Sequence, residues 1–263
     1  MYFFDSHAHY NDEKFDIDRE KIIKQNKDDG IKNVVVVGYN IETSIEAIKI
    51  ASTHDNIYAT VGISPNDLET EINLEKIEEL GKNKKVVAIG EIGLDYYWSK
   101  DNRDIQKEVF IKQIKIANKL EKPIAIHTRD AIMDTINILK NEQKCYKTGI
   151  FHCCPLNIEL IKEGLKLGYY ISFSGNITFK NAKNADKCIL EVPENRILIE
   201  TDSPYLTPEP HRGERNTPGN VKFVAEKIAK VKGLSIEEIA RQTYENAKRI
   251  YEIKNWHTLL FSQ

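Results

Sequence analysis

The sequence predicts a (β/α)8 barrel, an α/β fold, with an extra helix at its C-terminal end. Three observations carry that prediction. Eight short apolar runs recur along the chain, amphipathic segments separate them, and the 263 residues match the roughly 250 that one such barrel needs. Short, nearly continuous apolar runs suit strands buried on both faces, as in a parallel sheet. An open doubly wound sheet is the alternative, but the sequence holds neither a G-x-G-x-x-G nor a Walker A stretch to support it.

The runs are Tyr2–Asp5, Asn33–Val37, Ile57–Val61, Val86–Ile89, Pro123–Ile126, Thr148–Phe151, Tyr169–Ser172 and Arg196–Ile199. Between them, residues 104–121 place Val109, Ile111, Ile114, Ile116 and Leu120 at near-helical intervals. Residues 41–52, 72–82, 130–141, 156–167 and 217–232 are patterned similarly. After the last of these, Ser235 and Glu238 form a capping box that starts a terminal helix. The final residues 255–263, NWHTLLFSQ, are expected to pack on the barrel. No linker, charge block or low-complexity stretch divides the chain, so residues 1–263 read as one domain.

Composition narrows the function. A hydrophobic fraction of 41% with 30% charged residues fits a globular protein with a real core. The net charge of −2 argues against a protein that coats nucleic acid, so any positive charge for such a partner must be local. No run of about 18 apolar residues exists to span a membrane, and the first residues lack the basic and apolar regions of a signal peptide. The four cysteines, Cys145, Cys153, Cys154 and Cys188, show no C-x-x-C spacing and read as reduced thiols of a cytoplasmic protein.

The chemistry-bearing residues share one address. His7 and His9 follow the first run, Glu91 the fourth, His127 the fifth, His152 the sixth and Asp202 the eighth. Each is expected just past the C-terminal end of a strand, and in a barrel those ends form the rim where active sites are built. Four imidazoles and two carboxylates are donors for divalent transition metals, favouring Zn²⁺, Mn²⁺, Ni²⁺ or Fe²⁺ over Mg²⁺. Excess Mg²⁺ or Mn²⁺ remains able to support turnover. On a strand, residues 7 and 9 point to the same face. A glutamate such as Glu91 can bridge two ions, and Asp202 beside them is suited to accept a proton from an attacking water. Glu91 and Asp202 are therefore the candidate catalytic carboxylates. Taken singly, a histidine ending a strand is more often structural, and Glu91 alone reads as a rim salt bridge; six donors at one rim outweigh that reading.

Candidate substrate contacts lie nearby. Arg129, two residues past His127, is placed to meet an anionic substrate, or else to pair with Asp130 or Glu91. Arg212 and Arg215 lie in the Pro- and Gly-rich segment Pro208–Pro218, which follows the last strand, where barrels often bind phosphate; otherwise it is a solvated loop. Tyr96, Tyr97 and Trp98 are placed to stack on bases or to pack under a loop. Cys153 and Cys154 read as inert thiols rather than soft-metal ligands.

Together the motifs DSHAHY (5–10), VGISP (61–65), AIGEIGLDYY (88–97), KPIAIHTRDA (122–131), GIFHC (149–153), YISFSGNITF (170–179), ILIETDSPYLTP (197–208) and RGERNTPGNV (212–221) resemble the TatD family of metal-dependent deoxyribonucleases, within the amidohydrolase-like barrels. The resemblance covers residues 1 to about 251. It implies two divalent metal ions per subunit, one held by His7, His9, Glu91 and Asp202, the other by Glu91, His127 and His152. It also implies hydrolysis of DNA phosphodiester bonds by a two-metal-activated water, in the manner of a 3′–5′ exonuclease. Two departures stand out. Where the family usually reads G-I-H-P-H, this chain reads Gly62-Ile63-Ser64-Pro65-Asn66, and where it usually reads F-H-C-F-S-G, this chain reads Phe151-His152-Cys153-Cys154-Pro155-Leu156. The missing rim histidines and the near-neutral charge leave open a hydrolase of a small ester, amide or cyclic phosphate on the same site. A non-catalytic metal-binding protein is the third reading, and the intact donors argue against it.

Overall fold

The computed structural model describes residues 1–68, 72–98, 101–142 and 144–253. Eight strands, β1 (Phe3–Ala8), β2 (Ile31–Val37), β3 (Ile57–Val61), β4 (Val86–Asp95), β5 (Ile124–Arg129), β6 (Gly149–Phe151), β7 (Tyr170–Phe173) and β8 (Ile197–Ile199), pair in sequence order, all parallel. The intervening helices are α1 (Arg19–Gln25), α2 (Ile41–Ser52), α3 (Leu74–Gly81), α4 (Arg103–Lys119), α5 (Ile132–Asn137), α6 (Ile158–Lys166), α7 (Ala185–Glu191) and α8 (Val221–Lys232), with α9 (Ile236–Ile250) as the extra C-terminal helix. The expected barrel is therefore present, nearly closed. The segment 255–263 lies outside the described residues. Among the described residues no helix is long and apolar enough to cross a membrane.

The short run β8 does not complete the ring by itself. The chain beyond it does so at the C-terminal rim, where Asp202 N–H donates to the His7 carbonyl (2.9 Å) and His9 N–H donates to the Ser203 carbonyl (2.7 Å). Beneath this seam Ser6 Oγ donates to the Ile199 carbonyl (3.0 Å). The hydrogen bonds that join first strand to last thus also bring His7, His9 and Asp202 together.

Three strands outrun their apolar runs. β1, β4 and β5 continue through polar residues, so His7, Glu91 and His127 lie within strands rather than just past them. The backbone ladder explains this, since Gly93 pairs with His127 and Asp95 with Arg129, whatever the side chains are. Gly93 is required there. Its φ is +143°, and a Cβ would meet the His127 carbonyl oxygen at 1.9 Å. Two helices, α1 and α7, fall outside the segments picked out by periodicity. Each has seven residues, too few turns for a periodic stripe to show.

The core has two parts. One lies mainly between sheet and helices and includes Val34, Val36, Ile57 and Ile89 with Phe110, Ile114 and Ile228. The other gathers Phe4, Val35, Val37, Val87, Ile150, Tyr170 and Leu198 from strands around the ring, sealed by Ala247, Ile250 and Tyr251 at the end of α9. Tyr251 Oη donates to the Ser6 carbonyl (2.9 Å), directly under the histidine pair. The capping box starts α9 as expected: Ser235 Oγ accepts from Glu238 N–H (3.2 Å), and Glu238 Oε2 accepts from Ser235 N–H (2.9 Å).

Helix α4 also reaches the rim. Its buried Gln113 accepts from Ile63 N–H (2.8 Å) and donates to the Ile63 carbonyl (2.9 Å). Gln106 holds the Asp95 backbone through the same pair of bonds, each 2.8 Å. Two amides on an otherwise apolar helix face thereby fix the turn after β3 and the end of β4, because buried backbone groups need partners.

Candidate metal centre

All six predicted donors meet at the C-terminal rim; five of them line a cavity of about 750 Å³, and His7 lies buried against them. Glu91 occupies the middle. Its Oε2 faces His7 Nε2 (3.4 Å) and His9 Nε2 (4.0 Å), and its Oε1 faces His127 Nδ1 (3.2 Å) and His152 Nε2 (3.7 Å). Asp202 Oδ1 joins the first group, 3.2 Å from His9 Nε2 and 3.6 Å from His7 Nε2. One carboxylate therefore turns one oxygen toward each of two histidine pairs.

Within each pair the ring nitrogens approach closely: His7 Nε2 to His9 Nε2 is 3.2 Å, and His127 Nδ1 to His152 Nε2 is 3.2 Å. Two imidazole lone pairs at that distance repel unless a proton or a cation lies between them. Nitrogen donors at about 2.1 Å from one tetrahedral ion stand about 3.4 Å apart, so the spacing suits a shared divalent cation. The donor set, imidazole with carboxylate, suits the same ions.

The outer nitrogens are held as well. His9 Nδ1 lies 3.2 Å from the Val37 carbonyl, and His127 Nε2 lies 2.9 Å from Asp95 Oδ2. His152 Nδ1 stands 3.4 Å from Glu200 Oε1, within ion-pair reach but without hydrogen-bond alignment, and that oxygen also accepts from Cys153 N–H (2.6 Å). Fixing the far nitrogen sets tautomer and ring orientation and raises donor strength. Asp95, Glu200 and Asp5 were not singled out from sequence, although each lies inside a quoted motif. Asp5 accepts from His7 N–H (3.3 Å), Thr201 N–H (3.0 Å) and the Thr201 hydroxyl, tying β1 to the stretch that carries Asp202. A carboxylate two residues from a ligand, as Asp5 is from His7 and Glu200 from Asp202, or four along the same strand, as Asp95 is from Glu91, is the signal that exposes them.

The electrostatics favour cation binding. Burial raises the Glu91 carboxyl, but the imidazoles of His152, His127 and His7 outweigh it and hold Glu91 well below the usual carboxylate range. Burial likewise opposes ionisation of Asp202, and His9, His7 and His152 outweigh it. Both carboxylates are thus ionised near neutrality. Burial and the neighbouring His152 push His7 down, leaving it neutral. For His9, His127 and His152 burial also favours the neutral ring, but facing carboxylates prevail and raise all three, His152 most. An incoming cation must displace those protons. Metal affinity is therefore expected to fall as pH falls through the raised imidazole range, by about tenfold per pH unit for each proton displaced, and to level off above it. Calorimetry in buffers of different ionisation enthalpy should show proton release on binding; pH-independent affinity with no release would contradict this.

The predicted substrate residues divide. Arg129 is exposed and lines the cavity. Its guanidinium stacks on Tyr97, 3.6 Å from the ring centre, rather than pairing with Asp130 or Glu91. Arg212 and Arg215 are not among the cavity-lining residues. Arg212 lies 3.5 Å over the Phe179 ring, whereas Arg215 forks onto Asp18 (2.9 and 2.6 Å) and holds its loop against the turn at 13–18. Ser64 and Asn66 line the cavity, and Asn66 Nδ2 donates to Asp95 Oδ2 (3.2 Å), the oxygen that orients His127. Cys153 also lines it, with Sγ 3.1 Å from Ser174 Oγ; Cys154 is buried.

Comparison with known proteins agrees with this geometry. The family model described as TatD related DNase matches residues 4–252. The uncharacterized metal-dependent hydrolase YabD of Bacillus subtilis is 48% identical over 252 residues, covering 95% of this chain and 99% of that protein. The uncharacterized metal-dependent hydrolase YcfH of Escherichia coli is 36% identical, covering 96% and 97%. Among solved structures, the TatD homologue YjjV of Escherichia coli superposes with a TM-score of 0.89 at 25% identity, over 96% of this chain and 98% of that one.

Proposed function

Because the chain belongs to the TatD related DNase family of metal-dependent hydrolases, we propose that it hydrolyses phosphodiester bonds of DNA as a 3′–5′ exonuclease. The observation that carries this reading is the central Glu91, with one carboxylate oxygen toward each histidine pair. That arrangement fits two divalent ions, which when bound supply a nucleophile at neutral pH and a clamp on the phosphoryl oxygens. His7, His9, Glu91 and Asp202 would hold one ion, and Glu91, His127 and His152 the other. Zn²⁺, Mn²⁺, Ni²⁺ or Fe²⁺ suits the imidazole-rich set. Asp202, ionised at the cavity floor, accepts the proton of the attacking water.

Arg129 is the residue placed to meet a phosphate in the cavity. Its face is stacked on Tyr97, which leaves the N–H edges of the fork for non-bridging oxygens. Tested with saturating metal, single-stranded DNA is expected to be cut faster than chromogenic esters, with mononucleotides released from the 3′ end. Arg129→Ala is expected to raise KM on DNA about tenfold and to flatten its salt dependence, with metal content unchanged. Turnover of small esters alone, with DNA left intact, would favour the second reading, a hydrolase of a small ester, amide or cyclic phosphate.

A further inference from the structure

The turn after β4 carries three consecutive aromatics with two different fates. Tyr96 is structural: it is 6% exposed, its hydroxyl donates to Asp134 Oδ2 (2.7 Å), and Arg103 lies 4.4 Å over its ring. Tyr97 and Trp98 are 51% and 69% exposed. They meet edge to face at 4.8 Å, and Trp98, like Arg129, lines the metal cavity. Together they present an exposed aromatic face at the wall of the cavity, which a flat ligand can cover.

The turn is also rigidly set. Asp95, fully buried, receives Tyr97 N–H (2.9 Å) and Trp98 N–H (3.3 Å) on Oδ1, while its Oδ2 faces His127 Nε2 (2.9 Å). One carboxylate thereby fixes both the exposed aromatics and an outer ligand of the metal centre. Gln106, clamped on the Asp95 backbone, fixes it in turn. The backbone of the turn that carries the indole is therefore tied to the same carboxylate that faces the metal centre.

Resting on the DNA-hydrolase reading, we propose that Trp98, with Arg129 propped on Tyr97, forms a stacking subsite for one unpaired nucleobase of the strand being cut, the base next to the scissile phosphate. Every nucleobase has a face to offer an indole, so the subsite is tolerant of sequence. A base inside a duplex has both faces covered by its neighbours, so the subsite selects single strands and frayed 3′ ends. The Arg129 guanidinium lies 5.5 Å from the centre of the Trp98 ring, so base and phosphate of one nucleotide have adjacent partners.

The test compares a short single-stranded oligothymidylate with a strand of equal length carrying abasic residues at its 3′ end, on metal-loaded protein. KM is expected to be about tenfold lower for the base-bearing strand, a difference that Trp98→Ala removes and Trp98→Phe largely restores. Trp98 and Trp256 are the two tryptophans of the chain. In a Trp256→Phe background, a hydrolysis-resistant phosphorothioate oligothymidylate should quench Trp98 fluorescence and its abasic counterpart should not. Equal KM values for the two strands, or a full difference surviving in Trp98→Ala, would overturn the subsite while leaving DNA hydrolysis intact. If no strand is cut, the hydrolase reading falls first, and the quenching decides the subsite alone: quenching by the base-bearing strand supports it, and none overturns it.

Discussion

Replacing Glu91 with alanine is expected to strip the protein of bound metal and abolish turnover. The side chain lies between the two histidine pairs, with contacts of 3.2 to 4.0 Å to four ring nitrogens; Asp202, by contrast, groups with only one histidine of the second pair, His152, beside His7. Its negative charge also sustains the raised proton affinity of His152, His127 and His9, so the variant loses both an oxygen donor and the charge that draws a cation in. Removing even an outer hydrogen-bond partner of a metal ligand commonly costs about 10–100-fold in affinity, and a central donor should cost more than about 10²-fold. Glu91→Gln keeps the volume and one oxygen, and should recover part of the metal but little of the activity. Elemental analysis and titration of the purified variants read this directly. Full metal content in Glu91→Ala would show that the four imidazoles and Asp202 suffice without it.

Asp202→Asn separates binding from chemistry. Asp202 sits at φ +55°, a left-handed conformation that asparagine tolerates well, so the backbone needs no rearrangement. The amide N–H bond to the His7 carbonyl belongs to the main chain and survives the substitution. An oxygen donor also remains toward His9. What disappears is the negative charge and the capacity to take a proton. Losing a general base commonly costs about 10²–10⁴-fold in rate, and the expected result is a fall of that size in kcat with folding unchanged and most of the metal retained. Circular dichroism, elemental analysis and steady-state kinetics on the best substrate provide the three readouts. Parent-like kcat would remove Asp202 from the chemical step.

The contrast between these two carboxylates shows what could be read from sequence. Both stand after or within a strand whose apolar run marks it plainly, and the barrel brings such positions to one rim. Six donors are therefore legible as one cluster in the sequence alone. The division of labour was not. That Glu91 turns its two oxygens to different histidine pairs depends on its rotamer and on strand register, which no pattern of residue types encodes. Strand ends were misplaced for a related reason. An apolar run reports burial, and β1, β4 and β5 remain strands while their side chains turn polar, because the ladder is a backbone property.

The arginines show a different limit. In sequence Arg129, Arg212 and Arg215 look alike, each exposed on the strand-end side of the barrel. In space Arg215 is committed to Asp18, a partner 197 positions away, and Arg212 to the face of Phe179. Only long-range packing distinguishes a cation that holds a loop from one that lines the cavity. The supports of the site were hidden in the same way. Asp95, Gln106 and Gln113 are polar residues in elements read for their apolar pattern, where they register as interruptions, and Glu200 lies just past one such run. Their meaning appears once each is seen to fix a backbone segment or to face the outer nitrogen of a metal-site histidine.

Anomalous diffraction from crystals of the metal-loaded protein tests the central reading most directly. Two peaks per chain are expected at the C-terminal rim, one among His7, His9 and Asp202, the other between His127 and His152, with the Glu91 carboxylate between them. A single peak, or peaks away from Glu91, would contradict a carboxylate-bridged pair of ions.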